Sequence, residues 1–244
     1  MAAETIEVET PDGPMGLYMA SPGGSAAAAV VVIQEAFGVN DHIREVADRL
    51  AGEGYLAVAP ALFHRTGAPE LAYEDGFQQV LEHFKPLSDA GLLSDVDAAL
   101  GHIEGLGIAA EQTAIVGFCM GGRVSFLVAV ERRLGAAVGM YGGGIVSARY
   151  PQFPALVDRV PELKTPWLGL FGDTDRSIPV KDVETLRARL EVDRPAGIDA
   201  EVVRYAGAGH GFFCDKRKSY RPEAADDAWS RTLAWFRIHG VSPV

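Results

Sequence analysis

The stretch Ala114-Ile-Val-Gly-Phe-Cys-Met-Gly-Gly-Arg123 decides how the chain folds. An apolar strand pattern breaks at Gly117-Phe118-Cys119-Met120-Gly121, and a helical pattern opens behind it. This is the spacing of a nucleophile elbow, with cysteine in the position usually held by serine. A turn that lifts a nucleophile off the end of a sheet holds it at strained backbone angles. It also brings strand and helix so close that the residues two before and two after must be nearly free of side chain. Gly117 and Gly121 meet that demand. With two cysteines and 28 glycines in 244 residues, composition alone would produce the pattern roughly 0.03 times. The plain alternative is a small buried cysteine closing a glycine-rich turn, since free cysteine is among the most buried residue types.

Working outward from the elbow, strand and helix patterns alternate. Upstream, residues 29–35 form a continuous apolar run, as expected of a parallel strand covered on both faces. Ile43, Val46, Ala47 and Leu50 then fall on one helical face, with Asn40 or Asp41 as the cap. Residues 55–60 read as a strand, followed by a loop at 62–70, a helical stretch broken by Pro86, and a helix from Ser88 or Asp89 to about Glu104. Downstream of the elbow helix, residues 136–141 are a short strand, 142–165 are loops with a single turn of helix, and 166–172 are a strand. A helix marked by Val183, Leu186 and Leu190, a strand at 200–205, and a closing helix on Trp229, Leu233 and Phe236 complete the chain. At the N-terminus two alternating runs flank Thr10-Pro-Asp-Gly-Pro14, which predicts an antiparallel hairpin at a sheet edge. The whole reads as one α/β domain over 1–244, with a mostly parallel sheet and helices on both faces.

A formal net charge of −11 argues against nucleic acid or an anionic membrane as partner, because long-range repulsion opposes both. Cys119 and Cys214 make no disulfide framework and sit in no metal-ligand spacing, so a reducing cytoplasm is the expected location. Met1-Ala-Ala-Glu-Thr5 has no basic segment before an apolar one, so no signal peptide is expected, and the longest apolar run is too short to span a bilayer. With no Gly-x-Gly-x-x-Gly after the first strand and no His-Glu-x-x-His, no cofactor and no metal are expected. Oligomeric state is not legible.

Cysteine chemistry needs a base to hold the thiolate and a third group to orient that base. After the strand at 166–172 comes Gly172-Asp-Thr-Asp175, and after the strand at 200–205 comes Gly209-His210-Gly-Phe212. Both loops leave the same end of the sheet, in the order elbow, acid, histidine. Helix capping is the competing role for either acid, and spacing alone does not choose between Asp173 and Asp175.

Gln34-Glu-Ala-Phe-Gly-Val-Asn40, Gly117-Phe-Cys-Met-Gly-Gly122, Gly172-Asp-Thr-Asp175 with Pro179, and Gly209-His-Gly-Phe212 together resemble the dienelactone hydrolase (carboxymethylenebutenolidase) family over nearly the whole chain. The resemblance implies an α/β-hydrolase fold and hydrolysis of a small lactone or carboxylic ester through an acyl-cysteine. It selects Asp175 over Asp173, giving Cys119, His210 and Asp175 as catalytic residues. It also gives Glu35 a role: the family's glutamate contacts the resting thiol and, when substrate binds, helps convert it to thiolate. The oxyanion hole would be the backbone N–H groups of Met120 and Ala36. Phe37, His64, Tyr141 and Phe213 lie next to strand ends and are candidates to line the pocket, with core packing as the competing role for each.

The chain departs from the family in one respect. The family's best-known members hold a substrate carboxylate with two arginines, one on the helix before the elbow and one shortly after the histidine. Here no lysine or arginine lies between Arg65 and Lys85, and Cys214 stands in the second place. Arg65, Arg123, Lys216 and Arg217 are candidates to substitute, each competing with a reading as solvated surface charge. Two other functions fit the same elbow: a general carboxylesterase or thioesterase, and a redox-sensing thiol protein. An oriented proton shuttle at Asp175 and His210 argues against the second, because sensing requires a reactive thiol but no shuttle.

Overall fold

The computed structural model describes residues 2–73 and 77–243. It contains one continuous sheet of eight strands: β1 (Ala2–Thr10), β2 (Gly13–Ser21), β3 (Ala29–Ile33), β4 (Leu56–Pro60), β5 (Thr113–Phe118), β6 (Ala136–Met140), β7 (Trp167–Gly172) and β8 (Ala200–Tyr205). Their order across the sheet is β1-β2-β4-β3-β5-β6-β7-β8. Strands β3 to β8 run parallel, while β2 is antiparallel to both β1 and β4. The expected edge hairpin is therefore present. Its turn is closed by the Thr10 hydroxyl, which donates to the Gly13 carbonyl at 2.7 Å.

The apolar runs become the central strands because parallel strands here are covered on both faces. Val30, Val31, Val32 and Ile33 are all fully buried, as are Ala114 and Ile115 beside them. Each such aliphatic side chain contributes about 1.5–3 kcal/mol of transfer free energy. Among the described residues, five helices lie between strands, α1 (Asp41–Gly52), α2 (Phe77–Phe84), α3 (Asp89–Gly105), α4 (Met120–Glu131) and α5 (Val180–Asp193), and α6 (Pro222–Ile238) follows the last strand. α1 is capped by Asn40, whose side chain accepts from the Ile43 N–H, and α3 by Ser88, which accepts from the Gly91 N–H. Helix α3 packs on α4, while α1 shares a hollow with the first turn of α6. Right-handed crossovers of opposite direction, β3 to β4 and β5 to β6, put α1 and α4 on opposite faces. Residues 142–165 are irregular apart from a short 3-10 turn at Val157–Glu162 and an isolated bridge between Tyr150 and Phe153. No helix among the described residues is long and apolar enough to cross a membrane.

Strand order reverses between β3 and β5, the first links stepping outward toward β1 and the later ones toward β8. Crevices at such a switch point, beyond the carboxyl ends of the strands, are where open α/β sheets bind ligands. The loops after β3, β5, β7 and β8 all open there.

Candidate active site

The site is built from the turn between β5 and α4. Cys119 has φ 55° and ψ −112°, a left-handed conformation that costs a non-glycine residue roughly 1–3 kcal/mol. The turn holds that strain because its flanks admit no side chain. A Cβ on Gly117 would overlap the Gly121 carbonyl, and one on Gly122 would lie 2.6 Å from the Met140 carbonyl oxygen. The Cys119 N–H is anchored to the Met140 carbonyl at 3.0 Å. The thiol is thus lifted off the sheet at the first turn of α4, where the helix dipole favours negative charge.

His210 follows β8 and meets the thiol from the side, with Nε2 3.1 Å from the Cys119 Sγ. Its Nδ1 lies 2.7 Å from an Asp175 carboxylate oxygen. The other Asp175 oxygen accepts from the Ser177 N–H at 2.8 Å and the Ser177 hydroxyl at 2.6 Å, so the acid is fixed by a local turn. Capping is not the role of Asp175, because Pro179 occupies the cap of α5. Asp173 is elsewhere, accepting from Arg204 at 2.6 Å. Burial pushes the Asp175 carboxyl up, but its bonds to His210 and Ser177 more than offset this and leave it below the ordinary aspartate value. For His210 burial works downward, and the adjoining Cys119 and Asp175 charges outweigh it, raising the imidazole to about 10. The protonated imidazole is therefore favoured, held by the Asp175 carboxylate on one side and facing the sulfur on the other.

This coupling has a pH signature. The folded value for His210 lies above its ordinary 6.5. The stability contributed by its proton is therefore complete below that pH and is lost as the pH rises through about 10. Urea unfolding of the wild type and of His210→Asn is expected to show a stability difference that shrinks across that interval. A difference independent of pH would rule the pairing out.

Glu35 is fully buried at the end of β3, and its partners differ from the expected thiol contact. The Tyr73 hydroxyl donates to one carboxylate oxygen at 2.9 Å, and Arg217 donates to the other at 3.2 Å. The Tyr73 hydroxyl in turn accepts from the Cys214 thiol at 3.4 Å. Burial opposes the Arg217 charge, but the Glu35 carboxylate holds the guanidinium above its ordinary value.

A cavity of about 350 Å³ opens at Cys119 and His210. Phe37, Phe84, Tyr150 and Phe153 form an apolar wall, and Arg123, Arg149 and Arg217 border it. Ala36 and Met120 also line it, and among the described residues neither backbone N–H is taken by a backbone carbonyl. Of the four aromatic and histidine candidates, only Phe37 faces this space. His64 is turned away onto the buried Asp95 at 3.1 Å, because a buried carboxylate requires donors. Tyr141 is fully enclosed behind His210, ring centroids 5.2 Å apart. Phe213 packs with Phe118, His42 and Trp229 on the α1 side.

The arginines also need correcting, because three of the four candidate cations are not surface charges. Arg65 grips Asp95 through two bonds of 2.7 and 2.9 Å. Arg123 grips Asp89 at 2.6 and 3.0 Å and donates to the Pro154 carbonyl. Arg217 holds Glu35, while Lys216 is exposed and pairs with Glu45. Sequence reasoning missed Arg149, Tyr73 and Ser177. Arg149 lies in an aperiodic loop, and only the Asp-x-Ser spacing of Ser177 carried a local signal.

Comparison with known proteins places this geometry among relatives. A model of the dienelactone hydrolase family matches residues 15–240. A Methylorubrum extorquens protein, provisionally named a carboxymethylenebutenolidase, is 39% identical over 99% of this chain and 83% of its own. A Bradyrhizobium protein, provisionally named a 2-oxo-3-(5-oxofuran-2-ylidene)propanoate lactonase, is 32% identical over 98% of this chain and 97% of its own. The crystal structure of a provisionally identified dienelactone hydrolase from Klebsiella pneumoniae superposes with a TM-score of 0.84 at 38% identity, covering 97% of this chain and 99% of that one.

Proposed function

The chain belongs to the dienelactone hydrolase family and is a hydrolase of ester or lactone bonds; from that premise we propose that it cleaves an anionic lactone or ester through an acyl-cysteine formed on Cys119. The observation that carries this reading is the chain of contacts from Sγ to Nε2 at 3.1 Å and from Nδ1 to Asp175 at 2.7 Å. In the proposed reaction the Cys119 thiolate attacks the carbonyl carbon, and the resulting oxyanion is received by the Met120 and Ala36 N–H groups. Such donors contribute roughly 3 kcal/mol each where they have been measured. Collapse of the tetrahedral intermediate breaks the C–O bond, and the His210 imidazolium protonates the leaving oxygen. For a lactone, that oxygen stays tethered to the acyl group. The now neutral imidazole takes a proton from water, hydroxide attacks the thioester carbonyl, and the thiolate leaves. Asp175 holds His210 in the required tautomer throughout.

The anionic substrate follows from the cations at the rim. Arg217 reaches the cavity but is paired with Glu35, whereas Arg149 is not held by a carboxylate among the described residues. A substrate carboxylate would bind Arg149 and compete with Glu35 for Arg217, which frees Glu35 to act on the thiol. The propanoate in the Bradyrhizobium relative's name supports this class. Two measurements test it. Intact mass after mixing with a slowly deacylating p-nitrophenyl ester should show one acyl adduct, mapped to Cys119; an adduct elsewhere overturns the mechanism. Arg149→Met and Arg217→Met should each lower kcat/KM for a carboxylate-bearing lactone about tenfold or more, the worth of a charge-assisted hydrogen bond. Against the matching methyl ester Arg149→Met should be close to wild type, whereas Arg217→Met, which also strips buried Glu35 of its cation, should lose on both; an equal loss for Arg149→Met on the two substrates would remove the anion from the proposal.

A further inference from the structure

Outside the cleft, the described residues include one cluster of metal-ligating groups. A ring nitrogen of His42, the Cys214 sulfur and an Asp215 carboxylate oxygen all lie within 4.8 Å of one another. His42 and Asp215 border a hollow between α1 and the start of α6 whose residues are distinct from those of the Cys119 cavity, and Cys214 lies buried beside them. His42 is 4% exposed, and its Nε2 is buried with no hydrogen-bond partner. Buried polar atoms are nearly always satisfied, so an orphan of this kind calls for a ligand. Cys214 is fully buried, its thiol donating weakly to Tyr73 and its sulfur meeting the Lys216 backbone N–H, while the Asp215 side chain is about half exposed and only loosely paired with Lys216.

We propose that His42, Cys214 and Asp215 bind one zinc ion that ties the first turn of α1 to the segment between β8 and α6. The donor set decides the metal. One thiolate, one imidazole and one carboxylate suit zinc, whereas magnesium and calcium require oxygen donors throughout. Zinc bonds of about 2.0–2.3 Å put tetrahedral ligand atoms roughly 3.3–3.8 Å apart, so the cluster tightens by about 1 Å. Rotation of the exposed Asp215 supplies that movement. On binding, the Cys214 S–H proton passes to solvent, a zinc–sulfur bond forms, the contact to Tyr73 breaks, and water fills the fourth position. No electron is transferred.

The surrounding charges are mixed but mostly acidic. Arg49 borders the hollow with its guanidinium over the Trp229 ring at 4.1 Å. Glu45 lies three residues along α1 from His42 and borders the same hollow, as does Asp226. Lys216 spans this acidic cluster, 3.0 Å from Glu45 and 3.9 Å from Asp215, as an internal cation that zinc would displace. The tied segment carries both His210 and Arg217, so occupancy would brace the catalytic histidine from behind. Sequence spacing does not show the site, because its ligands come from positions 42 and 214–215, which only the fold brings together.

The test uses the full chain carrying Cys119→Ala, which removes the other thiol–imidazole pair able to take zinc. Calorimetric titration should show one zinc ion bound in the micromolar range or tighter, and cobalt should give a thiolate-to-metal charge-transfer band. Adding Cys214→Ser should abolish the band and weaken zinc at least about 100-fold. Asp215→Asn, a surface change that leaves folding intact, should weaken it about tenfold or more, and Lys216→Ala should tighten it. The site is overturned by absence of saturable zinc binding in the Cys119→Ala protein. A charge-transfer band that survives Cys214→Ser, or an affinity indifferent to both surface changes, overturns it as well.

Discussion

Replacing Cys119 with alanine is expected to lower kcat/KM for any ester or lactone substrate by at least about 10⁴-fold, the scale seen when a triad nucleophile is removed. The size of the loss follows from the site's division of labour. In the proposed scheme His210, held by Asp175 at 2.7 Å, serves the Cys119 sulfur 3.1 Å from its Nε2, and the cavity wall beyond it is largely apolar. Without the sulfur, a water molecule would have to attack with no covalent intermediate. The turn itself should lose no stability, because alanine tolerates the left-handed conformation no worse than cysteine does, and what is lost is the Cys119 share of the coupling that raises His210. Steady-state rates and urea unfolding on the same preparation separate the two effects. If the variant keeps most of its rate, the nucleophile is water and the acyl-cysteine scheme is wrong.

The second large effect concerns the turn beneath the thiol. Gly121→Ala is expected to destabilise the protein by about 3 kcal/mol or more, near the upper end of overpacking costs. A Cβ there would stand 2.5 Å from the Ile33 carbonyl oxygen, 2.7 Å from that of Gln34 and 2.7 Å from the Ile33 side chain. Two of those three atoms are backbone in the central strand and its continuation toward Glu35, so nothing nearby can yield except α4 as a whole. For a chain of this size the loss corresponds to roughly 6–12 °C in Tm. Gly101→Ala in α3 provides the contrast. That position is exposed and a Cβ there meets nothing within 4 Å, so the same chemical change should stabilise by up to about 1 kcal/mol. Thermal melts of the two variants should move in opposite directions. A melt of Gly121→Ala no lower than wild type would mean that the helix is not pressed onto β3.

Displacement of α4 would also tilt Cys119 and carry the Met120 N–H away from the Ala36 N–H. Gly121→Ala should therefore lose activity even at temperatures where it remains folded. Its residual rate should not recover with higher substrate concentration, since the defect lies in the turn and not in the arginines that border the cavity.

The sequence by itself determined the elbow, the alternation of strand and helix, and the loops that bear Asp175 and His210. Each of these depends on residues a few positions apart. Gly117 answers a local steric demand, because a Cβ there would meet the Gly121 backbone, and buried runs such as Val30 to Ile33 need only their own composition to read as parallel strands. The tertiary structure alone decided which charges are neutralised by a carboxylate and which, among the described residues, reach the cavity without one. Arg65 and Arg123 carry the same side chain as Arg149, but Asp95 and Asp89 neutralise the first two across 30 and 34 residues of chain. The same holds for Glu35, which meets Tyr73 and Arg217 from positions 38 and 182 residues away. A buried charge is stable only when a partner is brought to it, and that partner is chosen by the packing of distant elements. Local sequence could therefore place the thiol on its turn, while the ions that select a substrate, and the His42 and Cys214 pair behind them, became visible only when the chain had closed.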